Sequence, residues 1–484
     1  MMRQSNIQQH TMTLWNKEKP EENCRDLSED NMHDTFCSEE KIAESSFYTP
    51  EQFSVHQNSK ESTKTLFKHN EPNNQNDDLI NFVKMCKQKL DRDELPANFD
   101  QWTVEQQHDH LMSNVDKYFP NIPASLRFIL PGIFKDGDCG RSASERPGWL
   151  DVDKFRRGQK FAQNYYAGIC IAQVTSLLQL FTLQDGLKTL ILSRKSDTPY
   201  KAFKRYLSTV IRVNHWYLED PWDRRTQAHR DIEEVRNMHL AMRRRLCSYD
   251  NKQIDAGSQI LQLYCPLQEV LLKDFRDSCP VASDFQCPFT MTRTKSLNQG
   301  DMSITQCGFI GLIVLYPEQF GLHNVCDEDL EAFCHMWRGL GYLLGVEDRY
   351  NFCRGSLLEI QQRVKDTLEY WIKPNLSLVT PEWEHMLICL WKGLRYYLPT
   401  STYRVHLLYF CNVLELNMLG LYKSLSFREK AIYLWSIFMF MYLARLPIVV
   451  AIMNAVTRRC LNLAVNFRPE KRHKLKKRSD ENIL

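Results

Sequence analysis

The sequence predicts an all-α protein with one large multi-helix domain. Between residues 100 and 465, apolar side chains recur at spacings of three and four residues, the period of one helix face. No series of short alternating strands and no β-α-β rhythm interrupts that pattern. Hydrophobic residues make up 43% of the 484 residues, enough to bury a sizeable core.

Composition divides the chain into four parts. Residues 1–78 are rich in Glu, Asp, Asn, Gln and Ser and carry only isolated apolar residues, which predicts a disordered acidic tail. A helical domain is expected over residues 79–430, starting near "DDLINFVKMCKQKL". An apolar helical segment follows at 431–465, and a basic tail at 466–484 ends the sequence.

Charge and cysteine usage limit the class of protein. The net charge of +3 and the pI of about 8.1 give no reason to expect a nucleic-acid partner. The first residues contain no apolar h-region, so no secretory signal is predicted. The sixteen cysteines form no C-x-x-C pair and are expected to be free thiols. These features favour the cytoplasm, or the cytoplasmic face of an intracellular membrane.

The longest helical segments can be placed from their periodicity. A long helix is expected where "DVDKFRRGQKFAQNYYAGICIAQVTSLLQLF" runs without proline, and another after Pro199. In "TQAHRDIEEVRNMHLAMRRRL" the apolar residues form one stripe, and arginines fill the last turn. A further helix is predicted from Asp327, a possible cap, to Gly345.

The segment 431–456, "AIYLWSIFMFMYLARLPIVVAIMNAV", is nearly continuous apolar sequence. A membrane-spanning helix needs about 20 such residues, but Arg445 and Pro447 divide this run into two halves. Two short pieces fit either buried core helices or a re-entrant or interfacial membrane hairpin. The basic stretch after it would suit an anionic membrane face, and it is also compatible with simple solvation.

His239 is the most informative single residue. It shares a helical stripe with Ile232, Val235, Met242 and Leu246. One interpretation is a core histidine that is hydrogen-bonded to a carbonyl. The other is an imidazole that projects from a rigid helix into an apolar pocket, which is how haem iron is often held from one side.

Arg205 and Thr209, in "KRYLSTV", lie four residues apart and therefore on one helix face. They are compatible with an ordinary surface arginine and helix threonine. They are also compatible with an arginine that holds a carboxylate or propionate beside a hydroxyl.

A zinc site is a weaker hypothesis. His323, Cys326, Cys334 and His335 lie within thirteen residues, but they lack the close paired spacing of structural zinc sites. A zinc-dependent hydrolase is therefore the least favoured of the functions considered. No P-loop, G-x-S-x-G or H-E-x-x-H motif occurs, and "GLGYLLG" lacks the spacing of a dinucleotide loop.

The order of these segments resembles a known family, the catalytic domain shared by bacterial rubber oxygenase (latex clearing protein) and the ER-bound oxygenase of mycophenolic acid biosynthesis. The resemblance covers about residues 147–355. It is carried by "PGWLDVDKFRRGQKFAQNYYAGICIAQVTSLLQLF", by "KRYLSTVIRV" for the R-x-x-x-T helix, and by "EEVRNMH" for the histidine helix. The segments "MSITQCGFIGLIVLYPEQFGL" and "WRGLGYLLGVEDRYNFC" are similar to the downstream helices.

The resemblance implies an all-α domain that binds haem b. His239 falls on the iron ligand, and Arg205 and Thr209 fall on the polar pair of the haem pocket. The implied protein is an oxygenase that uses dioxygen on a small hydrophobic substrate, at the cytoplasm or the ER membrane. Ser208 stands where rubber oxygenase has a lysine, and Thr189 stands near the position of its catalytic glutamate. Polyisoprene cleavage is therefore not implied, and a catalytically inactive helical membrane-associated or interaction protein is the alternative.

Overall fold

A computed structural model describes residues 74–279, 293–398 and 402–481, with side chains from residue 79 onward. The chain separates into two compact units, Met1–His69 and Asn70–Leu484, and the first lies outside the described residues. The predicted acidic tail therefore lies outside them too, except for residues 74–78. Those residues form the first turns of a helix, so helical structure begins slightly before the predicted boundary.

The predicted all-α class is confirmed. No strand forms within the described residues, where the one isolated β-bridge joins Asp136 and Asn298. The α-helices, numbered in chain order, are α1 Asn74–Lys89, α2 Val104–Ser113, α3 Val115–Tyr118, α4 Val152–Asn164, α5 Tyr166–Thr175, α6 Leu177–Leu180, α7 Gln184–Leu192, α8 Pro199–Leu218, α9 Gln227–Cys247, α10 Asn251–Gly257, α11 Gln268–Ser278, α12 Gln299–Leu315, α13 Asp327–Leu343, α14 Leu357–Thr367, α15 Lys373–Leu376, α16 Pro381–Leu394, α17 Tyr403–Val413, α18 Leu419–Ser424, α19 Phe427–Met441, α20 Pro447–Val465 and α21 Pro469–Glu481.

Short 3-10 and π segments join several of these helices. The 3-10 turns are Arg92–Glu94, Phe99–Gln101, Ala124–Phe134, Pro317–Phe320, Asp348–Tyr350 and Leu443–Arg445, and the π segment is Leu368–Ile372. The thirteen cysteines of the described residues are free thiols, and most are buried or half-buried.

Local sequence explains where the two helices that carry the candidate residues begin. Pro199 occupies the first turn of α8, and the Thr198 side chain accepts a hydrogen bond from the backbone N–H of Lys201. Thr226 caps α9 in the same way through the N–H of His229. Both helices therefore have fixed starting points, which sets the register of every side chain along them.

The predicted long helix over residues 151–181 is broken in the structure. α4 ends at Asn164, α5 begins at Tyr166, and a further break precedes α6. The side chain of Asn454, on α20, accepts a hydrogen bond from the N–H of Ala167 at 2.9 Å and donates one to the carbonyl of Asn164 at 2.7 Å. A distant side chain therefore satisfies the backbone groups that the break exposes.

The centre of the core is the packing of α4 against α13. A Cβ on Gly158 would lie 2.3 Å from the carbonyl oxygen of Ala332, so only glycine permits this approach. On the facing helix a Cβ at Gly339 would lie 3.0 Å from the rings of Phe155 and Trp222. Gly345 has a φ of +94° just after α13, as the predicted end of this helix requires, whereas Asp327 is its first residue rather than its cap.

The apolar segment after residue 430 forms two helices with one face on the body. Tyr433, Ala444, Asn454 and Ala464 are buried, whereas most of the large apolar side chains of α19 and α20 are exposed or half-buried. In the described part of the chain, α20 is the one unbent helix long and apolar enough to cross a membrane, and 17% of it is buried. The run Tyr166–Leu180 passes the same test only together with Gln184–Leu192, across a bend of 104°.

Candidate functional site

His239 lies in the middle of α9, and its Nδ1 atom is buried without a hydrogen-bond partner. Burial lowers the pKa of the imidazole to about 4; the nearby charge of Arg205 lowers it further, and Asp138 opposes the shift. His239 is therefore neutral at physiological pH, and a neutral imidazole is the form that ligates metals. An unpaired, buried Nδ1 is compatible with a ligand-binding imidazole, the second of the two sequence interpretations.

A small cavity lies against His239. Its volume is about 10 Å³, and it is lined by residues of three chain segments and one further side chain: Asp136, Gly137, Asp138, His239, Leu240, Arg243, Leu297, Met302 and Leu344. Such a volume holds about one water molecule. The wall is charged on one side and apolar on the other.

Asp136, Asp138 and Arg243 supply the charged lining of the cavity, and Arg236 of α9 pairs with one of these aspartates. Arg236 donates to both carboxylate oxygens of Asp138, at 2.8 Å and 2.5 Å, and both side chains are buried. Arg243 donates to the carbonyls of Lys295 and Ser296, while its Nε has no hydrogen-bond partner and lies 3.7 Å from a carboxylate oxygen of Asp136. Arg243 is thus only partly satisfied by the protein.

Residues 293–298 adjoin the cavity, because Leu297 lines it and the carbonyls of Lys295 and Ser296 accept hydrogen bonds from Arg243. Leu297 and Arg293 have φ values of +62° and +45°, which residues with side chains rarely adopt. The carboxylate of Asp301 accepts a hydrogen bond from the N–H of Leu297 at 2.8 Å, and burial raises the pKa of this carboxyl to about 6. This segment is therefore held in a strained backbone conformation by a few polar contacts.

Neither Arg205 nor Thr209 lines the cavity beside His239, although the charge of Arg205 lowers the pKa of the imidazole. Arg205 Nη1 donates to Ser193 Oγ at 3.3 Å, and its charge acts on the imidazole. Thr209 is exposed, and its hydroxyl donates to the carbonyl of Arg205 within α8 at 3.0 Å. The role of Thr209 in a pocket therefore stays a prediction without a contact to support it.

The two positions that differ from rubber oxygenase have local partners. Ser208 Oγ accepts a hydrogen bond from Arg212 at 2.6 Å, and Arg212 also pairs with Glu234 at 2.5 Å. Thr189 donates to the carbonyl of Asp185 at 2.9 Å. Neither side chain lines the cavity.

The four residues considered for zinc have separate structural roles. His323 donates to the carbonyl of Phe440 at 2.6 Å, and His335 contacts the backbone of Asp151 at 3.1 Å. Cys334 is buried, whereas Cys326 is exposed beside Arg157. Among the described residues, no three His, Cys, Asp or Glu side chains are grouped so as to hold a metal ion.

Asp138, Asp136 and Arg243 belong to the site and were not identified from the sequence. Arg243 is one of the arginines predicted to fill the last turn of its helix, and its side chain is buried. The two aspartates flank Gly137 in a loop about one hundred residues before His239. The one local signal in the sequence is the Asp-Gly-Asp pattern, and that pattern is typical of ordinary turns.

The residues around the cavity suit haem chemically, but the cavity is too small to hold it. The unpaired Nδ1 of a neutral imidazole suits an iron ligand, and Arg205 and Arg243 suit carboxylates. Cofactor-sized ligands, however, occupy pockets of about 300–1,000 Å³. The cavity of about 10 Å³ cannot hold a porphyrin unless residues around it move.

Comparison with solved structures finds latex clearing protein in the closed state. The likeness has a TM-score of 0.44 and 16% sequence identity, and it covers 73% of this chain and 88% of that one. No known family's sequence pattern and no curated protein sequence matches the chain. The likeness is a distant structural one, and the chemistry of the site rests on this chain's own residues.

Proposed function

We propose that the protein is a haem-dependent, oxygenase-like oxidoreductase in which His239 ligates the iron. The observation that carries this proposal is the buried Nδ1 of His239, which has no partner on a side chain that burial keeps neutral. An unpaired polar atom costs about 1–3 kcal/mol when it is buried. Because His239 also lines a cavity, the unpaired atom supports a missing ligand.

The other residues of the site would bind and orient the cofactor. Arg205 and Arg243 supply positive charge for propionate groups, and Arg243 has an unpaired Nε to donate. Asp138 holds Arg236 and lies close enough to the imidazole to influence its pKa. Bound haem would supply the chemistry with dioxygen, and the apolar wall of Leu240, Met302 and Leu344 suits a small hydrophobic substrate.

Access for haem requires residues 293–298 to move. Two residues of this segment have positive φ values, and strained backbone is often found at functional sites. Displacing Leu297 would widen the cavity, because this side chain is part of its lining. The proposal therefore includes a conformational change of this segment and no displacement of α9 itself.

The small cavity favours a second candidate function. A catalytically inactive helical protein on the same scaffold needs no cofactor space, and a void for one water agrees with that. In that case the unpaired Nδ1 would be bonded to a water molecule.

The visible absorption spectrum of the purified full chain separates these candidates. We expect a Soret band after expression with a haem precursor, and we expect His239→Ala to abolish it. His406→Ala is the matched control, because His406 is also neutral, with a pKa lowered to about 4 by burial, but lies against Trp391 instead. A colourless chain that takes up no added haem would favour the inactive scaffold.

A further inference from the structure

The outer face of the α19–α20 hairpin exposes a continuous apolar stripe. The exposed residues follow helical spacing at Leu434, Trp435 and Phe438 on α19 and at Tyr442 just after its end. On α20 they recur every fourth residue, and Ile448, Ile452 and Val456 have exposed fractions of 65%, 55% and 54%. Soluble proteins rarely leave an apolar surface of this kind uncovered, so the stripe indicates a binding surface.

The inner face of the hairpin is fixed to the body of the protein. Tyr433 is buried, the carbonyl of Phe440 accepts a hydrogen bond from His323, and Asn454 bonds the backbone of Asn164 and Ala167. The exposed stripe therefore belongs to a positioned pair of helices, with its direction set by the fold.

The charges of this segment select the partner. From Lys430 to Arg468 the sequence has five basic residues and no acidic one. Arg445 lies exposed at the turn between the helices, and Arg458 and Arg459 lie exposed in the second half of α20. α21 follows with six lysines and arginines against three acidic residues. Such charges complement anionic lipid headgroups, which attract basic residues near the membrane surface.

We infer that the α19–α20 hairpin is an in-plane docking surface for an anionic lipid bilayer. Trp435 and Tyr442 are residue types that favour the membrane–water interface, and the apolar stripe enters the boundary between headgroups and acyl chains. The inference does not depend on haem binding, because none of these residues lines the cavity beside His239.

The hairpin lies on the membrane and does not cross it. α20 is long enough to span, but Asn454 holds it to α4 and α5, and Arg458 donates to the carbonyl of Gln163 at 3.2 Å. A spanning α20 would have to break these contacts or carry the polar surface of the body into the bilayer. Both are costly because buried polar groups need partners.

Vesicle flotation with the full chain tests this inference. The probes are phosphatidylcholine vesicles and phosphatidylcholine vesicles that contain phosphatidylserine. We expect binding to the second kind, weakened by salt, and a loss of about tenfold or more in Ile448→Ser/Ile452→Ser, because the variant removes two apolar side chains from the docking face. Leu358→Ser/Leu378→Ser is the matched control, because these leucines are 76% and 61% exposed elsewhere on the body.

Brominated acyl chains give a second measurement. They should quench fluorescence in the wild type more than in Trp435→Phe, because Trp435 is exposed on the docking face. Equal quenching, or equal loss of binding in the test and control pairs, would overturn the inference.

The same preparation distinguishes two other possible occupants of the docking face, a second copy of the chain and residues 1–73. Light scattering could show a dimer in the absence of lipid that becomes monomeric in Ile448→Ser/Ile452→Ser. That result would assign the face to a second copy of the chain. Vesicle binding that appears only after deletion of residues 1–73 would assign it to that segment. Either result contradicts the membrane assignment.

Discussion

At the scale of single residues, the site depends on charges that are paired away from water. Asp138 and Arg236 form a two-pronged pair with exposed side-chain fractions of 6% and 10%. Removing one partner of a buried pair leaves the other charge uncompensated, and this costs about 3–5 kcal/mol. The same pair holds the 136–138 loop against α9, and therefore one wall of the cavity beside His239.

We predict that Asp138→Asn lowers the free energy of unfolding by about 3 kcal/mol in urea titrations. Asp116→Asn is the control, because Asp116 pairs with Arg127 at 2.5 Å but is 87% exposed. It should cost less than about 1 kcal/mol. Similar losses in both variants would show that the Asp138–Arg236 pair is effectively solvated.

A second residue-scale prediction concerns pH. His406 is stacked on Trp391 with ring centroids 3.9 Å apart, and burial lowers its pKa from 6.5 to about 4. Between pH 6.5 and pH 4, His406 is therefore protonated in the unfolded chain but stays neutral in the folded chain. The stabilisation present above pH 6.5 is therefore lost as the pH falls toward 4.

Urea titrations across this range measure the effect. In His406→Gln the decline of unfolding free energy between pH 6.5 and pH 4 should become shallower, while the decline from His239, which has the same sign, remains. An unchanged slope in His406→Gln would mean that His406 is protonated in the folded state.

At the scale of elements, local sequence patterns located several of the long helices but not their breaks. Caps such as Thr198 and Thr226 are adjacent to the helices they start, so they can be recognised from the sequence. The break between α4 and α5 depends on Asn454, which is 290 residues from Asn164 along the chain. No local pattern carries that information, and the predicted single helix over residues 151–181 was therefore wrong in its continuity.

Asn454→Leu tests the cause of that break. It leaves the N–H of Ala167 and the carbonyl of Asn164 without partners, and each unpaired buried group costs about 1–3 kcal/mol. We expect a loss of at least about 2 kcal/mol in unfolding free energy. Asn462→Leu, an exposed position on the same helix, should change it by less than about 0.5 kcal/mol. If Asn454→Leu is equally mild, the break has another cause.

At the scale of the whole molecule, helical periodicity was sufficient to predict the all-α class, because periodicity reports burial against a common core. It also placed His239 on the inner stripe of α9, where Ile232 and Leu246 are buried. The cavity could not be predicted. Its walls come from residues 136–138, 239–243, 297–302 and 344, which only tertiary packing brings together.

Haem titration of the purified chain, followed at the Soret band, tests the central proposal most directly. We predict saturable uptake of one haem per chain, loss of the band in His239→Gly, and its return when free imidazole fills the space left by the side chain. Rescue by imidazole would show ligation by this ring and exclude a general folding defect. Absence of saturable uptake in the wild type, or a His239→Gly spectrum identical to the wild type, would contradict iron ligation by His239.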